Sequence, residues 1–404
     1  MARILFLVNH IPFFLTHRLP LARAAREAGH DIRVAHGGRE PPDVLDGEGI
    51  PHTRLPFARA GFRLAEYATA PGRLAGLYGR FKPDLVHAFP LKMVLYAARA
   101  GQAALRRGLR PPALAGSVTG LGYLFTDHRW AKRLLRRAVM DRLRAGLART
   151  PGARIIVQNN DDLGLLLDLR VAPPHRIVLV PGAGVDCREF APPAPGGPEW
   201  ERDLPPAPGL APADHRPIVA LPARMLRDKG ICEFAEAARR LRAGGAEARF
   251  VLAGNLDGEN PASLDRATLR GWEAEGAVEW AGWVRDMPAL WRASAVACLP
   301  SYREGCPKAL LEAMAAGRPC VATDVPGCRE AVRDGVNGRL VPVRDAGALA
   351  AALEEAIGSP ESRRRWGAAG RRLAEERFAL PRVVAATFGA YGEALREAGF
   401  GGDG

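Results

Sequence analysis

No run of 18 consecutive apolar residues occurs in this chain of 404 residues, so no segment is expected to cross a membrane as a helix. The apolar run at 4–8 is too short for the core of a secretory signal peptide, and the polar Asn9 and His10 follow it directly. It reads instead as the first strand of an α/β domain. Cysteine is missing before residue 187. The six that follow, Cys187, Cys232, Cys298, Cys306, Cys320 and Cys328, form no C-x-x-C pair and have no histidine at zinc-ligand spacing. That pattern argues against a zinc module and a disulfide framework, and fits reduced cytosolic thiols. Neither half carries G-x-G-x-x-G after its first strand, which argues against a nicotinamide enzyme.

Acidic residues are scarce in the first half. Residues 1–190 hold 29 lysines and arginines against 15 aspartates and glutamates, a balance of +14; the chain totals of 57 and 44 leave 28 against 29 for the remainder. The excess gathers in HRWAKRLLRRAVMDRLRAGLAR at 128–149. There Trp130, Leu134, Leu135, Ala138, Val139, Leu143 and Leu147 recur at helical spacing while Arg129, Lys132, Arg133, Arg136 and Arg137 take other positions. Such a helix either packs its stripe on its own sheet or lies on an anionic membrane surface, and Trp130 to Arg149 is the expected membrane contact. Nucleic acid is not an expected partner: no binding motif is present and aromatics do not interleave with the charges.

At 48% hydrophobic content, the chain can bury two cores of ordinary size. Strands are expected at 4–8, 31–35, 85–88, 113–117, 154–158 and 177–180, and again at 218–221, 250–253, 278–281, 295–299 and 320–323, with helical stretches between them. Alternating strand and helix implies parallel sheets with ligands at the carboxyl ends of the strands. The expected division is a first Rossmann-like domain at 1–190, a Pro/Gly-rich linker at 191–217, a second such domain at 218–375 and a terminal helical segment at 376–404 that crosses back to the first.

The segment 300–342, PSYREGCPKALLEAMAAGRPCVATDVPGCREAVRDGVNGRLVP, is the most informative. It sets Glu304 and Glu312 eight positions apart around a helix start: a strand closes at 297–300, Gly305 and Pro307 fit a turn, and helical composition begins at Lys308. A helix opening after such a turn presents free backbone N–H groups to an anion or a sugar hydroxyl. A carboxylate only accepts hydrogen bonds, which suits the hydroxyls of a sugar or ribose. Cys306 lies in this turn, where its backbone N–H is expected to matter more than its thiol.

This segment resembles the C-terminal signature of the retaining glycosyltransferases of family 4, which have the GT-B fold. It shows a Glu-x7-Glu pattern, a GRPCVATD step at 317–324 and a Pro-Gly-x-x-Glu step at 326–330. Within that family the chain is most similar to the branch that builds capsule, O-antigen and lipid-linked oligosaccharides, through FFLTHRLPLARAAREAGHDIRVA at 13–35, SVTGLGYLF at 117–125, VQNNDDLGLL at 157–166 and PGAGVDCREF at 181–190. The resemblance implies two Rossmann-like parallel-sheet domains facing across a cleft. It also implies transfer of a sugar, with retention, from a nucleoside-diphosphate donor, UDP-linked by expectation, to an acceptor hydroxyl. By resemblance, Glu304 holds sugar hydroxyls, Glu312 the ribose, and Arg224 and Lys229 in ALPARMLRDKG the diphosphate. The backbone at Gly305, Cys306 and Pro307, with Lys308, contacts the donor, and the WAGWVR loop at 280–285, with Val284, lies near the base.

No Asp-x-Asp pair is present, so the expectation is that protein cations take the place of a metal, with no cofactor beyond the nucleotide sugar. The sequence departs from the wider family in two places. HIPFF at 10–14 stands where many relatives have a glycine pair, and Thr119 stands where a histidine is usual. Thr119, Gly120 and Gly122 remain in a loop expected near the donor, and Phe14, His17 and His87 are acceptor-side candidates. The family branch implies a polyprenyl-diphosphate-linked acceptor and a cytoplasmic protein held peripherally at the inner face of a bacterial membrane. Two other classes stay open: a nucleotide-sugar epimerase or hydrolase, which turns over donor alone, and a non-catalytic membrane-associated scaffold.

Overall fold

The computed structural model describes residues 1–38, 43–59, 61, 64–121, 130–192 and 216–400, and the expectations for Gly122, Arg129, the side chains of Trp130 and Lys132, and linker residues 193–215 lie outside them. The described chain forms two compact units, Met1–Ala183 with Pro381–Gly404, and Gly184–Leu380.

The first unit is built on strands β1 (Arg3–Val8), β2 (Asp31–His36), β3 (His52–Arg54), β4 (Leu85–Phe89), β5 (Ala113–Val118), β6 (Arg154–Val157) and β7 (Ile177–Leu179), in the order β3-β2-β1-β4-β5-β6-β7. All pairings are parallel. A parallel sheet is covered by helices on both faces, so its strands are apolar at successive positions. In β1, Leu5 and Leu7 enter one core while Ile4, Phe6 and Val8 enter the other. The second unit repeats this plan with β8 (Ile218–Pro222), β9 (Arg249–Ala253), β10 (Glu279–Gly282), β11 (Val296–Leu299), β12 (Cys320–Thr323) and β13 (Gly338–Val341), in the parallel order β10-β9-β8-β11-β12-β13.

All eleven expected strands form. Two more, β3 and β13, have no counterpart among the expected runs; both are edge strands of three and four residues, and an edge needs less apolar sequence to be stable. In each unit the strand order reverses once, between β1 and β4 and between β8 and β11. The carboxyl ends flanking that reversal are where an open α/β sheet holds its ligand.

The domain boundary falls at Ala183 and not at residue 190. Val185 donates its backbone N–H to Phe378 O at 2.9 Å, and Phe190 is buried in the second unit's core. Likewise residues 376–380 remain with the second unit, and only Pro381–Gly404 joins the first.

Candidate active site

At the reversal in the second unit, two loops meet. After β8 the chain passes Arg224, makes a short 3-10 turn at Arg227–Lys229, and enters the helix Ile231–Ala243 through Gly230, whose φ is +71°. A side chain there would be strained by the left-handed backbone, and its Cβ would stand 2.1 Å from Pro300 O. Glycine thus lets the loop after β8 lie against the loop after β11. Further ties hold them: Tyr302 N donates to Asp228 O at 2.9 Å, and the Tyr302 hydroxyl donates to Glu233 Oε1 at 2.7 Å.

The loop after β11 is fixed from its other side. The Gly327 N–H donates to Glu304 O at 3.2 Å, and a Cβ on Gly327 would stand 2.6 Å from the carbonyl carbon and oxygen of Gly305. This explains the Pro-Gly step: Pro326 opens the helix Pro326–Ala331, and Gly327 lets it touch the turn that carries Glu304. Glu330, at the end of that motif, is buried and paired with Arg377 at 2.5 Å, which ties the motif to the segment Ala374–Phe378.

Three ion pairs then stand in these loops. Lys229 Nζ lies 2.6 Å from Glu304 Oε1, with both side chains largely buried. Arg224 Nη1 lies 2.5 Å from Asp257 Oδ2. On the helix Lys308–Ala315, which starts after Pro307, Lys308 Nζ lies 3.1 Å from Glu312 Oε1, and the Trp291 indole N–H reaches toward the other oxygen at 3.4 Å. Burial raises the Glu312 carboxyl above its ordinary value, and Lys308 opposes that shift. Each carboxylate is thus fixed by a donor while retaining lone pairs that can accept hydroxyl hydrogens.

Gly305 and Cys306 occupy the turn beside Glu304, and the Cys306 side chain is half-buried. Val284 is 7% exposed and packs its side chain in the second unit's core. Its neighbours Trp283, 60% exposed, and Arg285, also exposed, carry the accessible side chains of that loop.

The first-unit candidates are also redistributed. Thr119 and Gly120 follow β5, and Gly120 has a φ of +117°. Phe14 is fully buried against Phe6, ring centroids 5.7 Å apart; it is a core residue and not an acceptor contact. His17 stacks on Phe13 at 4.7 Å and its Nδ1 lies 2.7 Å from Thr16 Oγ1. His87 is buried in the sheet, with Nδ1 2.5 Å from the Tyr391 hydroxyl and Nε2 2.7 Å from Ser117 Oγ. Burial lowers its pKa well below the ordinary histidine value, so it is a neutral structural group with both nitrogens engaged, not an acceptor ligand.

The basic helix forms over Trp130–Ala148. Val139, Met140, Leu143 and Leu147 enter the core as the helical period requires, but Leu134 and Leu135 are 61% and 43% exposed. The expected apolar stripe therefore splits. Leu134 and Leu135 lie at the surface beside Arg133, Arg136 and Arg137 in the helix.

Two residues with direct bearing on the site were not singled out in the sequence. Asp257 sits in a Gly/Asn/Pro-rich loop that reads as solvent-exposed, and Trp291 reads as an ordinary core residue of its helix; neither has a local sequence signal of its role.

Two Rossmann-like units with single-reversal parallel sheets, the second carrying cations and carboxylates at its reversal, define the GT-B class of α/β proteins. The model for a "Glycosyl transferase 4-like domain" matches residues 16–183 and that for "Glycosyl transferases group 1" matches residues 216–359. The chain belongs to glycosyltransferase family 4. It is 38% identical over 133 residues to the N,N'-diacetylbacillosaminyl-diphospho-undecaprenol alpha-1,3-N-acetylgalactosaminyltransferase of Campylobacter jejuni subsp. jejuni serotype O:2, a match that spans 33% of each chain. It is 28% identical over 383 residues to the putative glycosyltransferase EpsD of Bacillus subtilis, covering 95% of this chain and 94% of the relative. In fold it is similar to Anabaena Alr3699/HepE in complex with UDP and glucose, with a TM-score of 0.74, 17% identity, and 97% and 100% of the two chains covered.

Proposed function

We propose that this glycosyltransferase moves a sugar, with retention of anomeric configuration, from a UDP-linked donor to a hydroxyl of a polyprenyl-diphosphate-linked sugar in the assembly of a bacterial surface glycan. The observation that carries the reading is the set of three ion pairs at the β8/β11 reversal, where Arg224, Lys229 and Lys308 each stand against a carboxylate. A nucleoside-diphosphate sugar is the substrate class whose parts match both signs at once. Its diphosphate takes Arg224 and Lys229, its sugar hydroxyls take Glu304 and the turn at Gly305, Cys306 and Pro307, and its ribose takes Glu312 with Lys308 alongside. The UDP in the HepE complex and the diphospho-undecaprenol in the Campylobacter relative's name support the donor and acceptor classes.

In the transfer, the bond between the anomeric carbon and the phosphate oxygen breaks while the acceptor oxygen bonds to the same face. The acceptor's proton passes to the departing phosphate oxygen, so no side-chain nucleophile is needed. Charge grows on the leaving diphosphate, and fixed cations stabilise it more than they stabilise the intact donor. Among the described residues no cluster of metal-ligating side chains is found, and the proposal assigns the charge neutralisation to Arg224 and Lys229. The exposed Leu134 and Leu135 among arginines make the helix Trp130–Ala148 the proposed contact with the anionic inner face of the membrane, where a cytoplasmic enzyme meets a lipid-linked acceptor.

Thermal shifts with a panel of nucleoside diphosphates, in the presence of a chelator, test the donor site. A ligand at about 100 times its Kd raises stability by roughly 2.7 kcal/mol. The expected result is a shift with uridine diphosphate that is lost in Glu312→Ala. No shift with any nucleotide would sink the proposal, and turnover of donor at equal rate without an acceptor would move it to a hydrolase.

A further inference from the structure

The segment that follows β9 is built onto the donor loop. Asn255 O accepts the Met225 N–H at 3.0 Å, Met225 O accepts the Leu264 N–H at 2.9 Å, and Ala262 O accepts the Arg227 N–H at 2.9 Å. Leu226 and Ser263 form an antiparallel bridge. The residues between fold back on themselves: Asn260 N donates to Asp257 O at 2.8 Å, Ser263 N to Asn260 O at 2.9 Å, and Asp257 N to Ser263 Oγ at 3.1 Å. Residues 255–264 thus form a strap laid along 223–227, and the turn of that strap carries the Asp257 carboxylate to the Arg224 guanidinium. The Asp257 side chain is 6% exposed, while that of Arg224 is 49% exposed. The carboxylate is the fixed member and the arginine the presented one.

We propose that Asp257 is a positioning residue for Arg224, and that the 255–264 strap belongs to the catalytic machinery by fixing that guanidinium in advance of the donor. This inference rests on the reading of Arg224 as a diphosphate ligand. An unanchored arginine on a loop samples many rotamers, so its charge meets the leaving diphosphate in only a fraction of encounters. A buried carboxylate on one edge of the guanidinium removes that freedom while leaving other N–H groups available, since the guanidinium carries five. It also lowers the positive charge offered to a bound nucleotide. The gain is therefore in orientation during transfer and not in donor affinity, which separates Asp257 from a residue that merely holds the loop together.

The test compares steady-state transfer by the full-length protein and its Asp257→Asn, Ser263→Ala, Arg224→Ala and Asp257→Asn/Arg224→Ala variants, with unfolding temperature measured on each. Asp257→Asn keeps the side chain's shape and removes its charge. The expected result is a loss in kcat of roughly 10- to 100-fold, the scale of a catalytic group misplaced by about 1 Å, with little change in donor KM and in unfolding temperature. Ser263→Ala, which frees the Asp257 backbone without altering its charge, is expected to show a smaller loss in the same parameter. The double variant is expected to be no worse than Arg224→Ala, because Asp257 acts through Arg224. A wild-type kcat in Asp257→Asn, or losses that add in the double variant, would overturn the proposal while leaving the donor-site reading intact. Full activity in Arg224→Ala would overturn both. If Asp257→Asn is too unstable to assay, Ser263→Ala decides: a fall in kcat at unchanged KM supports the proposal, and wild-type kinetics overturn it.

Discussion

Lys229 and Glu304 are each other's partner at 2.6 Å, yet under the proposed function a donor uses both, one on its phosphates and one on its sugar. Binding a complete donor replaces the pair with two new interactions. Binding a bare nucleoside diphosphate takes Lys229 and leaves Glu304 unpaired beside a dianion. Under that proposal the ion pair discriminates between substrate and product. Glu304→Gln is expected to bind nucleoside diphosphate about tenfold tighter while transfer falls by roughly 10- to 100-fold, on the usual range of about 1.5–3 kcal/mol for a hydrogen bond to a charged group. Titration calorimetry with the nucleotide, set beside initial rates, checks this; weaker nucleotide binding in the variant would contradict it. At this scale the sequence shows Glu304, Glu312, Arg224 and Lys229 beside strand ends and helix starts, and the roles given to them come from the resemblance. Side-chain direction is not legible in that way. Phe14 and Val284 turn into the core, and Asp257 reaches Arg224 only through a strap whose hydrogen bonds are tertiary.

The helix Trp130–Ala148 shows what periodicity reveals about an element and what it does not. Apolar residues at 3.6 spacing identify the helix, and Val139, Leu143 and Leu147 do enter the core. The same period continues backward to Leu135 and Leu134, which are exposed. Where a stripe outruns the surface that would cover it depends on strand length and helix tilt, which are properties of the fold. The strands β3 and β13 were hidden for a related reason, as short edges carry few buried positions. Under the proposed function, the exposed leucine pair among three arginines is the part of this helix that meets the membrane surface. Replacing Leu134 and Leu135 by glutamate is expected to weaken sedimentation with vesicles containing anionic phospholipid by tenfold or more, since burying a leucine contributes about 1.5–3 kcal/mol. Binding of the wild type should also fall as salt is raised. Equal sedimentation of variant and wild type would show that the pair serves another purpose.

The chain enters the second unit at Gly184 and returns after Leu380, so the first unit is completed only by Pro381–Gly404. The helix Leu380–Glu397 is tied there by Arg154, whose Nε and Nη1 meet Glu393 at 3.2 Å and Glu397 at 2.7 Å, and by the Tyr391 hydroxyl at His87. All nine histidines of the chain precede residue 216, and eight of them fall within Met1–Ala183. Three of these, His30, His36 and His87, have their pKa lowered from 6.5, in each case first by burial. A histidine held neutral in the folded state binds fewer protons than in the unfolded chain, so stability falls as pH drops below about 6.5, the unfolded value. In the second unit the shift at Glu312 runs the other way. Its raised pKa means the folded state holds a proton that the unfolded state has released, which favours the fold as pH drops toward the ordinary glutamate value. Acidification from neutral pH should therefore unfold the first unit before the second. Hydrogen exchange followed by peptide mass analysis at neutral and mildly acidic pH reads the two units separately, and protection should be lost first at β4, β5 and the helix Leu380–Glu397. Tyr391→Phe removes one partner of His87 and should bring the same loss at neutral pH, at a cost of about 1–3 kcal/mol for a buried group left unpaired. Simultaneous loss in both units, or first loss in the second, would mean that the buried histidines do not set the acid limit of this fold.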